Sequence, residues 1–258
     1  DQIEAELDFV EHLAESGLVV ARPLTSGGER VVELRRLATG EGRSWGVMFE
    51  RLEGRHYEYY SPDIDRPLFR LWGETMGRLH NGSVLFAPKG CRRRPDWRDD
   101  EVAGCSRRSV PTDEESLAAR EELVTWLSQC RCEASHYGMV HGDFERTNFL
   151  LRDGAIGLFD FDDSCHHWFV WDMACALWVF RKNATRGERS RFLGWFLEGY
   201  SSVRDPDVER LEFFTEFVRL RSVALLLHRL RNRERFGGEL DREWADQTRA
   251  WLRSSWSW

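Results

Sequence analysis

The chain has 258 residues, of which 41% are hydrophobic and 31% charged, and its formal net charge is −7. That length allows one large core or two lobes, and the composition argues against an intrinsically disordered protein. The negative charge argues against nonspecific nucleic-acid binding, which requires a basic surface. No apolar run approaches the ~20 residues that cross a bilayer and no signal peptide opens the chain, so we expect a cytoplasmic location and no membrane partner.

The N-terminal part is predicted to form one helix followed by short strands. Residues 1–15 have apolar side chains spaced for one helical face, and Gly17 is placed to end that helix. Gly-rich turns separate the strands that follow. We predict these strands at Val19–Leu24, Arg30–Leu37 and Trp45–Leu52.

The central segment places oxygen-bearing side chains on both sides of a predicted hairpin. Its turn is Arg152-Asp153-Gly154, in which Asp-Gly is a strong turn signal between two apolar runs. Antiparallel pairing returns the chain to its starting point, so Asn148 at the start of one strand and Asp160 at the end of the other can face one ion.

These residue types suit phosphoryl transfer, in which the protein mainly orients a hydroxyl and holds magnesium against phosphates. Mg²⁺ prefers hard oxygen ligands and keeps several waters, so Asn148 and Asp160 together with phosphate oxygens are sufficient. Asp143 lies five residues before Asn148 on the same loop. It is placed to accept the proton of a substrate hydroxyl or to orient that hydroxyl.

The C-terminal part is predicted to be helical. The twelve tryptophans of the chain, many of which lie in this part, could line an aromatic cleft for a cationic substrate, but the alternative of ordinary core packing is the better supported of the two. The helices are predicted at Trp168–Phe180, Ser190–Tyr200, Pro206–Arg231 and Leu240–Trp256.

The basic run Arg92-Arg93-Arg94 precedes this part of the chain. It is interpreted as solvated loop charges.

Several of these segments together resemble one known family. The His-Gly-Asp run at 141–143, Asn148 and the segments Phe159–Asp163, His167–Phe169 and Trp171–Ala174 are similar to the catalytic and metal-binding loops of the aminoglycoside phosphotransferase family. The similarity is strongest to its branch with type II homoserine kinases, hydroxylysine kinase and stress-response Ser/Thr kinases. It implies an α+β, protein-kinase-like two-lobed fold.

The resemblance also implies domains and site residues. Residues 1–53 would form a partial N-terminal lobe with its regulatory helix, strands and hinge, and residues 54–258 a mostly helical C-terminal lobe with the catalytic loop, metal loop and substrate-binding helices. The roles follow position by position: Asp143 would be catalytic, Asn148 and Asp160 magnesium ligands, Asp172 a buried brace of the catalytic loop, His141 and Asp162 supporting residues, and Phe49, Glu50 and Leu52 the nucleotide-binding hinge.

Two features of such kinases are missing from the small lobe of this sequence. Kinases place a glycine-rich loop and a strand lysine before the regulatory helix, whereas the two lysines here are Lys89 and Lys182. We therefore expect that an N-terminal piece precedes this sequence, with a lobe-truncated pseudoenzyme as the alternative. Glu6 would be the ion-pair partner of an upstream lysine, and Glu4 is its competitor.

The function that we predict is transfer of the γ-phosphoryl group of ATP, or GTP, to a hydroxyl of a small molecule. The acidic cluster of Asp143, Glu145, Asp162 and Asp163 exceeds what one or two magnesium ions neutralise. It favours an amine-bearing acceptor such as an amino alcohol or an aminoglycoside. The alternatives are a protein Ser/Thr kinase of the stress-response kind and a nucleotide-sensing pseudokinase.

Overall fold

The computed structural model describes residues 1–34, 44–57, 65–99, 113–231, 239–254 and 256–258. The architecture of these residues is mixed α+β, mostly helical, with three small antiparallel sheets. Of the helices described, none is long and apolar enough to cross a membrane.

The N-terminal part contains one helix and a three-stranded sheet. Helix α1 (Gln2–Glu15) is followed by β1 (Pro23–Leu24), β2 (Val31–Leu34) and β3 (Ser44–Phe49), with β3 in the centre and antiparallel to both neighbours. The predicted strand at residues 19–24 is shorter than expected. Its first residues leave this sheet because the Val19 carbonyl accepts a bond of 2.9 Å from the Leu158 amide instead.

Helices α2 (Arg66–Leu85) and α6 (Arg186–Ser201) form the most extensive helix contact of the large helical part. They touch at glycines, where the backbones approach too closely for a side chain. A Cβ placed on Gly199 would lie 1.8 Å from the Arg70 carbonyl oxygen, and one on Gly73 would lie 1.9 Å from that of Phe196. Helix α3 (Glu114–Leu127) begins at Asp113, whose side chain accepts from the Ser116 amide.

Two short ribbons lie between α3 and the C-terminal helices. Strand β4 (Tyr137–Val140) pairs with β7 (Cys165–Trp168), and β5 (Phe149–Arg152) pairs with β6 (Ala155–Leu158). The β5–β6 hairpin turns at Asp153 and Gly154, which have φ of 50° and 77°. This confirms the hairpin that the Asp-Gly signal predicts.

The remaining helices differ from the predicted ones mainly at their boundaries. Trp168 belongs to β7 and not to the helix that follows, because its backbone pairs with Tyr137. The single helix predicted at residues 206–231 is two, since the chain turns after Leu211. The observed helices are α4 (Phe169–Leu177), α5 (Phe180–Asn183), α7 (Val208–Leu211), α8 (Phe214–Arg231) and α9 (Glu239–Arg253).

Aromatic side chains fill much of the core between these elements. Trp168 and Trp171 are buried in it, and Trp178 packs partly against it. The Arg181 guanidinium lies 3.4 Å from the Trp178 ring centroid, so an internal arginine already covers that ring. These three tryptophans therefore belong to the core, as the preferred of the two interpretations predicts.

Candidate active site

Asp143 lies at the centre of the candidate site, on the loop between β4 and β5. Its Oδ2 accepts a hydrogen bond of 2.9 Å from the Asn148 side-chain amide. Its Oδ1 is paired with the guanidinium of Arg221, which reaches the loop from α8. Asn148 Nδ2 also donates to the Asp143 carbonyl oxygen at 2.8 Å. The Asp143 carboxylate is therefore held from two sides. The side-chain oxygen of Asn148, Oδ1, is the atom of that amide that can accept a hydrogen bond or coordinate a metal ion.

The backbone of this loop is held by a fully buried carboxylate in the first turn of α4. Asp172 Oδ1 accepts from the Gly142 amide at 2.9 Å, and Oδ2 accepts from the His141 amide at 3.1 Å. Burial acts to raise the pKa of Asp172, but hydrogen bonds from His80 and from the backbone outweigh it and leave the pKa lowered. The carboxylate therefore stays ionised and fixes the path of the loop.

His80 and Tyr200 extend this support into α2 and α6. His80 Nε2 lies 3.2 Å from Asp172 Oδ2, and Nδ1 lies 2.9 Å from the Tyr200 hydroxyl. Burial lowers the pKa of His80, so the neutral ring donates through Nε2 and accepts from Tyr200 at Nδ1. Neither residue is predicted from the sequence, because His80 lies 92 positions before Asp172 and 120 positions before Tyr200.

The loop that follows β6 carries Asp160 and Asp162, and residues 159–164 are called the metal loop below. Asp160 has a φ of 67°, in the left-handed region that few non-glycine residues adopt. Strand β6 ends at Leu158, although the Phe159 amide still donates to the Asn148 carbonyl at 3.2 Å, so Asp160 follows the strand and does not end it as predicted. Burial raises the pKa of Asp162, and a hydrogen bond with the Asp160 carboxyl adds to it.

His141 and Gly142 join the catalytic loop to the metal loop. His141 Nε2 donates to the Phe159 carbonyl at 3.2 Å, which leaves Nδ1 to accept from the Asp143 amide at 3.4 Å. Gly142 has a φ of 80°, and a Cβ at this position would lie 2.2 Å from the Asp163 carbonyl oxygen. The two loops are thus in direct backbone contact at a position that requires glycine.

Arg221 faces a cluster of carboxylates around Asp143. Burial raises the pKa of Glu145, and the charge of Asp143 adds to it. Burial also raises the pKa of Asp163, against the opposing effect of Arg221. Burial alone would lower the pKa of Arg221, but the neighbouring Cys175 and acidic groups raise it instead. The guanidinium therefore stays charged and neutralises part of the cluster.

A cavity of about 410 Å³ opens beside Asp160. The segment before β1 forms one side of it and is fixed there, because Ala21 N donates to the Leu158 carbonyl and Glu50 N donates to the Arg22 carbonyl, at 2.9 and 2.8 Å. Three of its lining residues are those predicted for nucleotide binding, and Asp160 is the predicted metal ligand. The lining consists of Ala21, Phe49, Glu50, Leu52, Leu150, Phe159 and Asp160.

Glu6 lies on the face of α1 that is turned toward the metal loop, and it is buried. Burial raises its pKa to about 7, against the opposing charge of Arg94 and together with the charges of Asp162 and Asp160. Glu4 is more exposed and is paired with Arg30. Of the two glutamates that the sequence analysis considers, Glu6 is therefore the one directed toward the site.

The structure brings the predicted catalytic and metal residues together around the open end of the β5–β6 hairpin. Within the described residues no group of three or more His, Cys, Asp or Glu side chains is placed to hold a metal ion. Arg221 and Arg94 were missed, since arginine on a helix or in a basic run carries no distinctive spacing signal.

The sequence of this chain is similar to those of known phosphotransferases. The sequence profile of the phosphotransferase enzyme family (APH) matches residues 1–214. An amicoumacin kinase of Bacillus subtilis (strain 168) is 27% identical over 250 residues, covering 93% of this chain and 73% of that protein. A homoserine kinase of Sinorhizobium medicae (strain WSM419) is 28% identical over 246 residues, covering 89% and 68% respectively.

A solved structure gives the same result for the fold. The structure of an amicoumacin kinase in complex with AMP-PNP, Ca²⁺ and Ami aligns with a TM-score of 0.84 and 25% sequence identity. The alignment covers 97% of this chain and 77% of that chain. The α+β architecture is therefore that of the kinase-like fold in these phosphotransferases, as the sequence analysis predicts.

Proposed function

Because this chain belongs to the phosphotransferase enzyme family and is therefore an ATP-dependent small-molecule kinase, we propose that its acceptor is an amine-bearing molecule with a free hydroxyl group. The observation that carries the phosphoryl transfer is the double restraint of the Asp143 carboxylate by Asn148 and Arg221, together with a cavity that Asp160 lines. An oriented carboxylate and a cavity for the nucleotide are what transfer to a hydroxyl requires. The choice of an amine-bearing acceptor rests on the carboxylates around Asp143.

Asp143 is the proposed catalytic residue. The acceptor hydroxyl donates a hydrogen bond to its carboxylate, which aims the oxygen lone pair at the γ-phosphorus. As the new P–O bond forms, the bond between the γ-phosphorus and the β,γ-bridging oxygen breaks and ADP leaves. The hydroxyl proton passes to Asp143. Asn148 and Arg221 keep the carboxylate aimed during the transfer, so no reorientation is needed.

Asn148 Oδ1 and the Asp160 carboxylate are the proposed magnesium ligands. The donor set fits the ion, because both atoms are hard oxygens and the Asp160–Asp162 pair leaves negative charge close together in a partly buried loop. When bound, Mg²⁺ would neutralise charge on the phosphate oxygens. Asp162 supports this site through its contact with Asp160.

The cavity beside Asp160 is the proposed nucleotide site. Phe49 and Leu52 supply apolar walls for a purine ring, and the backbone of Glu50 and Leu52 supplies an acceptor and a donor at its edge. The proposed boundary between a small lobe, residues 1–53, and a large lobe, residues 54–258, lies at this segment. A related structure was solved in complex with AMP-PNP, Ca²⁺ and Ami, which agrees with a nucleotide site in a chain of this fold.

The charge around Asp143 supports an amine-bearing acceptor. Asp143, Glu145 and Asp163 lie close to one another at the catalytic loop, and Arg221 neutralises part of their charge. The remaining negative potential favours a cationic acceptor over an anionic one. A relative named homoserine kinase agrees with an acceptor that carries an amino group and a primary hydroxyl, because homoserine has both besides its carboxylate.

A matched acceptor screen tests the proposal. Each amino alcohol, homoserine or aminoglycoside is paired with an analogue in which the amine is replaced by hydrogen or hydroxyl. Release of ADP from ATP, or of GDP from GTP, is followed with each acceptor and with a generic protein substrate. We expect magnesium-dependent turnover on amine-bearing acceptors and a kcat/KM at least tenfold lower on their amine-free partners. Equal turnover within each pair, or phosphate appearing on the protein substrate alone, would refute the assignment of the acceptor.

A further inference from the structure

Arg94 is a buried arginine that joins helix α1 to the metal loop. Its side chain belongs to the run Arg92-Arg93-Arg94, which the sequence analysis interprets as solvated loop charges. The structure contradicts this for Arg94, which is only 7% exposed, whereas the side chain of Arg93 is 74% exposed. The difference arises because Arg94 finds internal acceptors on two elements.

The guanidinium of Arg94 is used almost completely by these acceptors. Nε donates to the Ser164 carbonyl at 2.8 Å, and Nη2 donates to the Asp162 carbonyl. Nη1 lies 3.4 Å from the Gln2 carbonyl and 3.5 Å from the Glu6 carboxylate. Four of the five N–H groups of an arginine are thereby directed at protein atoms. Arg94 is therefore arranged to hold the loop and not to bind a phosphate.

The backbone next to Arg94 is itself anchored. The Pro95 carbonyl accepts from the His166 amide at 2.7 Å, and the Trp97 amide donates to the His166 carbonyl at 3.0 Å. This segment therefore runs alongside β7, which is paired with β4. Because the backbone that carries the Arg94 side chain is fixed against β7, the guanidinium can hold the metal loop in a fixed position relative to the β4–β7 sheet.

The metal loop needs such a restraint. Asp160 is held in the left-handed region at a φ of 67°, a conformation that persists only where the surroundings enforce it. The neighbouring carboxyl groups of Asp160 and Asp162 also repel one another when both are ionised. Gly142 supports the loop from the catalytic side, and Arg94 supplies bonds and positive charge from the opposite side.

We propose that Arg94 is a positioning residue that fixes the metal loop between α1 and β7 and thereby presets Asp160 for its ligand. Its effect on metal binding rests on the proposed function of Asp160 and Asn148. The restraint of the metal loop by Arg94 does not depend on that proposed function, because it can be measured without any metal.

The experiment compares Arg94→Lys with Arg210→Lys as a matched control. Arg210 is also buried and, like Arg94, donates both to a carboxylate and to the backbone: its acceptors are Asp207 Oδ2 and the Arg131 carbonyl oxygen, both at 2.9 Å. It lies away from the metal loop. Both substitutions keep a positive charge but remove the planar guanidinium with its several hydrogen-bond donors. A general effect of losing a buried guanidinium should therefore appear equally in both variants.

The first measurement is hydrogen exchange of the metal-loop amides by mass spectrometry without metal. We expect exchange of the Ser164 amide, which donates to the Phe161 carbonyl at 2.9 Å within the loop, to accelerate at least tenfold in Arg94→Lys and to stay unchanged in Arg210→Lys. In the wild-type chain this amide should exchange as slowly as those of β4 and β7, which tests the restraint even if Arg94→Lys does not fold. Fast wild-type exchange, or equal exchange in both variants, would overturn the proposal.

The second measurement is the magnesium dependence of ATP binding by calorimetry. Residues that orient metal ligands typically change metal affinity by about 10- to 100-fold when replaced, so we expect the half-saturating Mg²⁺ concentration to rise about tenfold in Arg94→Lys alone. An unchanged value in that variant would overturn the positioning role. Absence of any magnesium dependence in the wild-type chain would instead refute the proposed metal site, whatever the exchange data show.

Discussion

Asp143 provides the most direct test at the scale of single residues. In Asp143→Asn the side chain keeps its size but cannot take the hydroxyl proton, so we expect kcat to fall by about 10²- to 10⁴-fold. The KM for ATP should change only a few-fold, because the residue contacts the acceptor and not the nucleotide. Steady-state kinetics with a coupled ADP assay measures both constants.

Asp153→Asn is the control for that substitution. Asp153 lies at the exposed hairpin tip with a φ of 50°, a conformation that asparagine tolerates. Its kcat should match the wild type. A value of kcat in Asp143→Asn within threefold of the wild type would contradict the catalytic assignment.

Asp160 is tested best by asparagine, because alanine would add backbone strain at a φ of 67°. Asp160→Asn removes one negative charge from the proposed metal site while preserving the shape of the loop. We expect the magnesium-dependent part of ATP binding to be lost and the melting temperature to change little. Calorimetric titrations with ATP in the presence and absence of magnesium measure the first effect, and a retained dependence would exclude Asp160 as a ligand.

At this scale the sequence predicts those site residues that a local motif carries. Asp143, Asn148 and Asp160 are linked by a short hairpin, so spacing alone brings them together. Arg221 lies 78 positions from Asp143, and His80 reaches Asp172 from another helix. Such partners depend on how distant helices pack, and a single sequence does not specify that packing.

The contact between α2 and α6 is the strongest test at the scale of elements. A methyl group on Gly199 would collide with the Arg70 carbonyl at 1.8 Å, and backbone atoms cannot move aside as a side-chain end can. We therefore expect Gly199→Ala to lower the free energy of unfolding by about 1–3 kcal/mol or more. Urea denaturation followed by far-ultraviolet circular dichroism measures it.

Gly194 on the same helix provides the matched control. A Cβ at Gly194 would meet nothing within 4 Å, and the residue is exposed. Gly194→Ala should raise the free energy of unfolding by up to about 1 kcal/mol, because alanine favours the helix more than glycine does. Equal destabilisation by both substitutions would contradict the close approach of the two helices.

Periodicity and turn signals predict most elements, but not all of their ends. The hairpin and α1 are correct because their signals are local: an Asp-Gly turn, and one apolar face. Trp168 was assigned to a helix because its neighbours are apolar and aromatic. Its place in β7 is decided by pairing with Tyr137, a contact between segments that are distant along the chain.

The docking of α1 on the rest of the molecule predicts how stability depends on pH. Burial raises the pKa of Glu6 from 4.5 to about 7, so the folded protein binds this proton more tightly than the unfolded chain. The resulting stabilisation is complete below pH 4.5 and is lost as the pH rises toward 7. A shift of this size corresponds to about 3 kcal/mol.

Glu6→Gln should remove this contribution. Between pH 5 and pH 8, without magnesium, the free energy of unfolding of the wild type should fall relative to that of Glu6→Gln by up to about 3 kcal/mol. Urea denaturation of both proteins at several pH values measures the difference. Parallel pH dependences would show that Glu6 titrates normally and that α1 is not closed over the metal loop.

The β5–β6 hairpin has a practical consequence for the engineering of this enzyme. Its open end carries Asn148 and precedes Asp160, whereas its tip at Asp153 and Gly154 points into solvent. Paired strands separate these two ends, so the tip is the natural place for a peptide tag, a fluorophore or an inserted reporter domain. An insertion there lengthens the molecule at a point where no proposed ligand has to move.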